Sequence, residues 1–340
     1  MIFARRMAIA SAAVFATALP ALAQQKACPN PNALGVSRVV EIDTAAGPGF
    51  GFEHYKAYDF LQPKEVVLTF DDGPQKFHTE AVLAALAHHC TKATFFSIGK
   101  MALGYPEIIR KVAAEGHTIG THTWSHALLR KKATAAEAVD EIERGMSAVK
   151  RAVGGPIAPL FRYPALQDTP ETLAHLQSRN VGIFSTDIDS FDFKIHSGDH
   201  FVKSVIDKLE KKGKGIVLMH DIQPATARNV PALLDALKAH GFRIVQIKAK
   251  GELATLPEFD TAIESSVKGL PGAGAERPTS AVVRTIEGGQ SKLGGEPAAA
   301  ATSPTQTTNP GTPVDSRAVA AEPAGGQQNT QQKKWFWQQK

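Results

Sequence analysis

From Lys64 onward the chain alternates between short apolar runs and longer segments whose apolar residues recur at helical spacing. The first run, 66–70, ends on Asp71-Asp72 and is broken by Gly73-Pro74. Its β-branched and aromatic residues suit a pleated, buried strand, and Gly-Pro cannot continue one. A helix is expected over about 79–89, a strand over 93–98, a helix over about 106–115 with Gly116 as its C′ stop, and a strand over 117–121. A long helix starts at Thr134, where Thr134-Ala135-Ala136-Glu137 has the form of a capping box. Val139, Ile142, Met146, Val149 and Val153 give it one apolar face. A short strand over 159–162 follows, and Thr169-Pro170 opens a helix with proline at its first position. A strand over 181–186, a helix over about 199–212 stopped by Gly213, a strand over 215–219, a helix over about 229–241 and a strand over 242–247 complete the pattern.

Strands and helices in this alternation form βαβ units on a parallel sheet, so the fold class is α/β with about seven parallel strands. A doubly wound open sheet and a closed or incomplete barrel both fit that count. Upstream, residues 24–63 are Gly/Pro-punctuated, with an edge strand expected over 36–42 and loop over 45–52. From about Asp260 to Lys340, Ala, Gly, Pro, Thr, Ser and Gln dominate. Such a segment buries too little apolar surface to offset chain entropy and reads as a disordered tail.

The first 23 residues form a targeting segment: Arg5-Arg6, an apolar stretch over 7–19, and Ala21-Leu22-Ala23 as a small-x-small cleavage site. The apolar stretch is too short to span a bilayer as a helix. The expectation is an exported protein, periplasmic or secreted. In such a compartment Cys28 and Cys90 are expected to form a disulfide, which would pin the leader; two free thiols are the alternative.

Of the 340 residues 43% are hydrophobic and 21% charged, as in a globular protein. The net charge of +5 comes without the clustered Lys/Arg of a nucleic-acid binder, so no nucleic-acid partner is expected. The tail ends in Lys333-Lys334-Trp335-Phe336-Trp337, an aromatic-basic cluster suited to a membrane surface or wall glycan, or simply a terminus without function.

Candidate chemistry gathers at strand ends, where α/β folds place their sites. Asp71 and Asp72 end the 66–70 strand. His122-Thr123-Trp124-Ser125-His126 follows the 117–121 strand; at i and i+4 its two histidines would share one face of a helix and suit one metal ion. Two histidines, one carboxylate and an open position make a catalytic zinc arrangement, which leaves the second aspartate as a base. His220 ends the 215–219 strand and is suited to protonate a departing amine. Asp187, Asp189 and Asp192 follow another strand and offer a carboxylate to raise the pKa of that histidine, and Arg162 offers a bidentate hold on an aspartate. His88, His89 and His117 fall away from this end of the sheet.

Together these segments resemble the NodB-homology polysaccharide deacetylases, carbohydrate esterase family four, over about 64–250. Thr69-Phe70-Asp71-Asp72-Gly73-Pro74, His122 to His126, Arg162-Tyr163-Pro164, Asp189-Ser190-Phe191-Asp192 and Leu218-Met219-His220 match its five motifs in order. The resemblance implies a distorted (β/α) barrel that lacks one full unit. It implies Asp71 as base, His220 as acid, Arg162 orienting Asp71, and Asp192 tuning His220. Asp72, His122 and His126 would hold one divalent metal, usually zinc and sometimes cobalt. The implied reaction is removal of N-acetyl groups from a glycan such as peptidoglycan or chitin oligosaccharide. Two positions depart from the family pattern: Ala165 replaces an aromatic residue, with only its N–H left to serve an oxyanion, and Phe193 replaces tryptophan. A glycan-binding protein without turnover, and an O-acetyl ester or cyclic amide hydrolase on the same site, are the rival readings.

Overall fold

The computed structural model describes residues 28–195 and 197–266. Strands β1 (Arg38–Ile42) and β2 (Gly49–Phe50) precede the main alternation. It then runs β3 (Glu65–Asp71), α1 (His78–His88), β4 (Thr94–Ser97), α2 (Gly99–Gly104), α3 (Pro106–Ala114), β5 (Thr118–Thr121), α4 (Ala135–Val153), β6 (Leu160–Phe161) and α5 (Pro170–Ser178). After these come β7 (Gly182–Phe184), β8 (Ile188–Asp189), α6 (Gly198–Lys212), β9 (Gly215–His220), α7 (Pro224–Ala239), β10 (Arg243–Ala249) and α8 (Pro257–Ser266).

All strand pairs are parallel. Pairing runs β3-β4-β5-β6-β7, while β8 pairs with β9 and β9 with β3. Since β7 and β8 are two halves of one segment, 182–189, the ring closes and the sheet is a distorted barrel. This settles the choice that periodicity left open. The remaining strands lie off that ring: β2 adds to β7, and β10 pairs with the start of β3 through Arg243–Glu65 and Ile244–Val66 and carries β1 on its outer side. The central strand β3 is buried at every residue, which explains why its sequence is an unbroken apolar run rather than an alternation.

The helices cover the barrel by their apolar faces. On α4, Ala138, Ile142, Met146 and Val149 are buried, close to the stripe read from sequence. Thr134 caps α4 by accepting the Glu137 N–H at 3.2 Å. The reciprocal half of the expected capping box falls one residue earlier, where the Glu137 carboxylate accepts from Ala133 N at 2.9 Å. Gly154 and Gly213, at φ 71 and φ 79, end α4 and α6 in the left-handed region that glycine tolerates.

Five elements differ from expectation, among them β8, a second short strand where the sequence placed an acidic stretch following the 181–186 strand. α2 was not foreseen: six residues bounded by glycines carry no readable period. β2 lies inside the expected 45–52 loop, and its two residues are too few to show alternation. α7 begins at Pro224 and carries Pro231 internally, whereas sequence favours a start close to that proline. α8 runs through residues 260–266, placed by sequence in the tail; Ile263 is fully buried, and Arg151 and Arg144 reach Glu264 and Ser266. Cys28 and Cys90 form a disulfide with Cα atoms 6.0 Å apart. The targeting segment 1–23 and the Trp335-Phe336-Trp337 cluster lie outside the described residues.

Candidate metal centre and active site

The motifs converge at the carboxyl-terminal rim of the barrel. β3 delivers Asp71 directly beside His220 of β9, the two being register partners. The next residue, Asp72, sits at φ 77. That left-handed backbone turns the carboxylate out of the strand direction and toward the loop after β5. There His122 Nε2 and His126 Nε2 lie 3.6 and 3.4 Å from Asp72 Oδ1.

The two histidines do not share a helix. Residues 122–126 form a loop, with Thr123 and His126 at φ 64 and φ 62. Thr123 Oγ1 accepts the His126 N–H, and Glu141 of α4 accepts from Ser125 through both N–H and hydroxyl. Helical spacing thus paired two histidines that do come together, but through a loop and not on one helix face. Glu141 itself was missed. Its signal was a charged residue among Ala138, Ile142 and Gly145 on the buried face of α4.

One ligand atom from each of Asp72, His122 and His126 lies within 4.8 Å of the others. Asp72 Oδ1 is buried without a hydrogen-bond partner, a costly state unless a cation meets it. Donors bonded to one tetrahedral ion at about 2.1 Å stand about 3.4 Å apart, close to the spacings found. His122 Nδ1 donates to the Arg162 carbonyl at 2.6 Å, so its Nε2 keeps a lone pair aimed at Asp72. Burial, with His126 alongside, pushes the His122 pKa down to about 3 and keeps that imidazole neutral. The residues present fit a divalent metal.

Arg162 occupies the floor of the site, fully buried. Its guanidinium donates to Asp71 Oδ1 at 2.8 Å, Thr69 Oγ1 at 2.7 Å and the carbonyls of Ser185 and Phe184, and it stacks on Phe96 at 4.4 Å. Burial pushes the Asp71 pKa up, and the charge of Arg162 opposes it. Opposite, His220 Nδ1 donates to Asp192 Oδ1 at 2.7 Å, and the His220 N–H donates to the other oxygen. Burial pulls the His220 pKa down, but Asp192, helped by Asp72 and Asp71, outweighs it and raises the value to about 10. With Nδ1 on Asp192, Nε2 is the ring nitrogen that remains for another partner.

The other acidic residues of that segment are spent elsewhere. Asp187 accepts from Phe52 N and Ile216 N, and Asp189 from Phe191 N. Ala165 takes φ 53 in a short turn after Pro164. His117 lies at the opposite end of β5 and accepts from Ala93 N, its pKa pushed down to about 3 by burial and by Lys92 and Lys248. His89 is buried beside α7 Asp235. Sequence reasoning also passed over Asp221. Its buried carboxylate accepts from Thr79 Oγ1 at 2.6 Å and lies against Gly73, directly beneath the Asp72 turn.

The parallel barrel thus gathers at one rim an Asp72-His122-His126 group that could hold a metal ion, with Asp71 and His220 beside it. The sequence model described as polysaccharide deacetylase matches residues 60–182. The chain is 32% identical over 200 residues to the chitooligosaccharide deacetylase of Bradyrhizobium sp. (strain ANU 289), covering 55% of this chain and 90% of that protein. It is 32% identical over 187 residues to the peptidoglycan-N-acetylglucosamine deacetylase PgdA of Listeria monocytogenes serotype 1/2a, over 54% of this chain but only 38% of that protein. Among solved structures, a peptidoglycan deacetylase of Bdellovibrio bacteriovorus superposes with a TM-score of 0.57 at 34% identity, covering 63% of this chain and 59% of that one. The chain belongs to the polysaccharide deacetylase family.

Proposed function

We propose that this protein is an exported, divalent-metal-dependent hydrolase that removes N-acetyl groups from an N-acetylglucosamine-containing polysaccharide. The observation that carries the reading is the orphaned Asp72 Oδ1 facing His122 and His126, with Asp71 on one side and His220 on the other. Asp72, His122 and His126 would hold the ion, and two imidazoles with a carboxylate suit zinc, with cobalt as a substitute. When bound, the ion supplies Lewis acidity and a more acidic water. Asp71, held by Arg162, takes the proton of the water that attacks the acetamide carbonyl. The Ala165 N–H, by its place in the third motif, would stabilise the developing oxyanion. As the carbon–nitrogen bond breaks, His220, oriented by Asp192, gives its Nε2 proton to the departing amine. The products are acetate and a free amino sugar. The Cys28–Cys90 bridge supports export, because such bonds persist in oxidising compartments.

The test is acetate release from N-acetylglucosamine oligomers and peptidoglycan by protein stripped with chelator and reloaded with zinc or cobalt. Activity should vanish on stripping, return on reloading, and fall about 10²–10⁴-fold in Asp71→Asn. Loaded protein that binds the glycan but releases no acetate from any of these polymers would overturn the reading.

A further inference from the structure

The rim beside His220 exposes three phenylalanines. Phe77 is 72% exposed, Phe191 40% and Phe193 42%; among the described residues Val39 and Tyr58 are the other large hydrophobics this open. Phe193 stands edge-on to His220, ring centroids 5.6 Å apart, and Phe191 lies 6.1 Å from Phe193. Phe77 sits on the loop leading into α1, which Thr79 ties to Asp221, the residue after His220. Both Phe77 and Phe191 hold positive φ, 68 and 53, an unfavourable backbone for a bulky side chain. The fold therefore spends strain to present apolar rings to solvent on two loops flanking the proposed acid. Exposed apolar groups gathered at one place mark a contact with something outside the chain.

Each ring also carries a cation. Lys194 Nζ lies 5.1 and 5.2 Å from the Phe191 and Phe193 centroids, Lys208 4.7 Å from Phe191, and Lys76 5.2 Å from Phe77. Lys208 is already held, donating to the Asp189 carbonyl at 2.8 Å. Lys76 and Lys194 form no ion pair with a described carboxylate, whereas lysines elsewhere on the surface, such as Lys64 and Lys214, do pair. The C–H face of a pyranose is apolar and packs on the electron-rich face of an aromatic ring. An ammonium beside that ring can then meet a carboxylate carried by the sugar it holds.

We infer that Phe77, Phe191 and Phe193, with Lys76 and Lys194, form a subsite for a sugar unit next to the one deacetylated. That subsite prefers a glycan bearing carboxylates over a neutral one. The inference rests on the deacetylase reading and narrows its substrate to an acidic N-acetylated glycan. The carboxylate is borne either by the sugar itself or by a peptide attached to it.

The experiment compares kcat/KM, and affinity by calorimetry, on three probes: neutral N-acetylglucosamine oligomers, peptidoglycan strands freed of peptides, and the same strands with peptides. The metal-loaded protein is used at low and high salt. The strands should be favoured over neutral oligomers, with the preference shrinking in salt. In Lys76→Ala/Lys194→Ala, which alters only exposed side chains, the strand-to-oligomer ratio should fall about three- to tenfold, the size expected for two exposed ion pairs; Lys76→Arg/Lys194→Arg should retain it. Preference already present in peptide-free strands assigns the carboxylate to the sugar, and preference only with peptides assigns it to the peptide. Equal use of neutral and acidic probes, or a ratio untouched by the alanine pair, overturns the inference. Calorimetry separates the two readings: a lysine-dependent binding preference without any acetate release would sink the deacetylase and leave the subsite standing.

Discussion

Arg162 and Asp71 meet at the floor of the site through a 2.8 Å ion pair, and neither side chain is open to water. The guanidinium reaches three further acceptors on β3, β7 and the segment after it, so one side chain joins the strands that frame the proposed base. Removing it strands a buried carboxylate. Arg162→Ala is expected to cost about 3–5 kcal/mol of stability, read from urea midpoints. With the cation gone, the Asp71 pKa rises further, so the acid limb of kcat/KM should move to higher pH. An acid limb that stays in place would show that Arg162 does not set the charge of Asp71.

The pair formed by His220 and Asp192 makes the opposite statement about protons. Folded His220 titrates at about 10 because Asp192, Asp72 and Asp71 overcome its burial, while the unfolded side chain titrates near 6.5. The pair therefore stabilises the fold fully below pH 6.5, and that contribution drains away as pH rises toward 10. In Asp192→Asn the alkaline limb of the rate profile should move down by more than one pH unit, and the pH dependence of stability across that window should flatten. Because a cation at Asp72 offsets part of the negative charge facing His220, the metal-loaded protein should show a lower alkaline limb than the stripped protein shows by direct titration of His220.

Much of this was legible in the chain because the relevant signals are local. β3 announces itself as a buried run that stops at Gly-Pro, and Thr134, Thr169 and Gly213 mark helix ends by their own chemistry. Barrel closure was not legible from periodicity. It depends on one segment pairing with β6 by its first half and β9 by its second, a long-range register that no window of sequence contains. Glu141 and Asp221 were passed over because each looks like a solvated charge until the packing around it is seen. Both are buried beneath the loops that carry the metal-cluster residues. His122 and His126 were found through a helical spacing, although it is two left-handed residues that bring them together.

Gly73 and Asp221 give the third prediction. A Cβ on Gly73 would collide with the Asp221 carboxylate, which is anchored by Thr79 and buried on every side. The Asp72 turn would have to move. Gly73→Ala should lose about 1–3 kcal/mol of stability through overpacking. Its zinc affinity should weaken as Asp72 shifts away from the two histidines. In the double variant with Asp221→Ser, where the carboxylate no longer blocks the new methyl, part of the metal affinity should return. A double-mutant cycle that sums without coupling would separate the two residues.

The Cys28–Cys90 bridge supplies the last prediction, because it lies at the far end of the barrel from the chemistry. Cys90 follows the carboxyl end of α1, where the chain turns back toward the start of β4, whereas Asp72 and His220 stand at strand ends on the other rim. Around the bridge, Asn30 donates to the His88 carbonyl and Gly35 to that of His89, so the leader is laid against α1 by more than the sulfur bond. Closing a loop over a sequence separation of 62 is expected to contribute about 4 kcal/mol through the unfolded chain. Neither contact involves a sulfur atom, so both are expected to persist when the bridge is cut. Cys28→Ser/Cys90→Ser should therefore unfold at lower urea by an amount equivalent to about 2–4 kcal/mol and become insensitive to reductant. While it stays folded at 25 °C, its kcat/KM for acetate release should remain within about twofold of the parent, since no catalytic contact depends on the bridge. A folded double variant with a large fall in turnover would show that the leader communicates with the opposite rim.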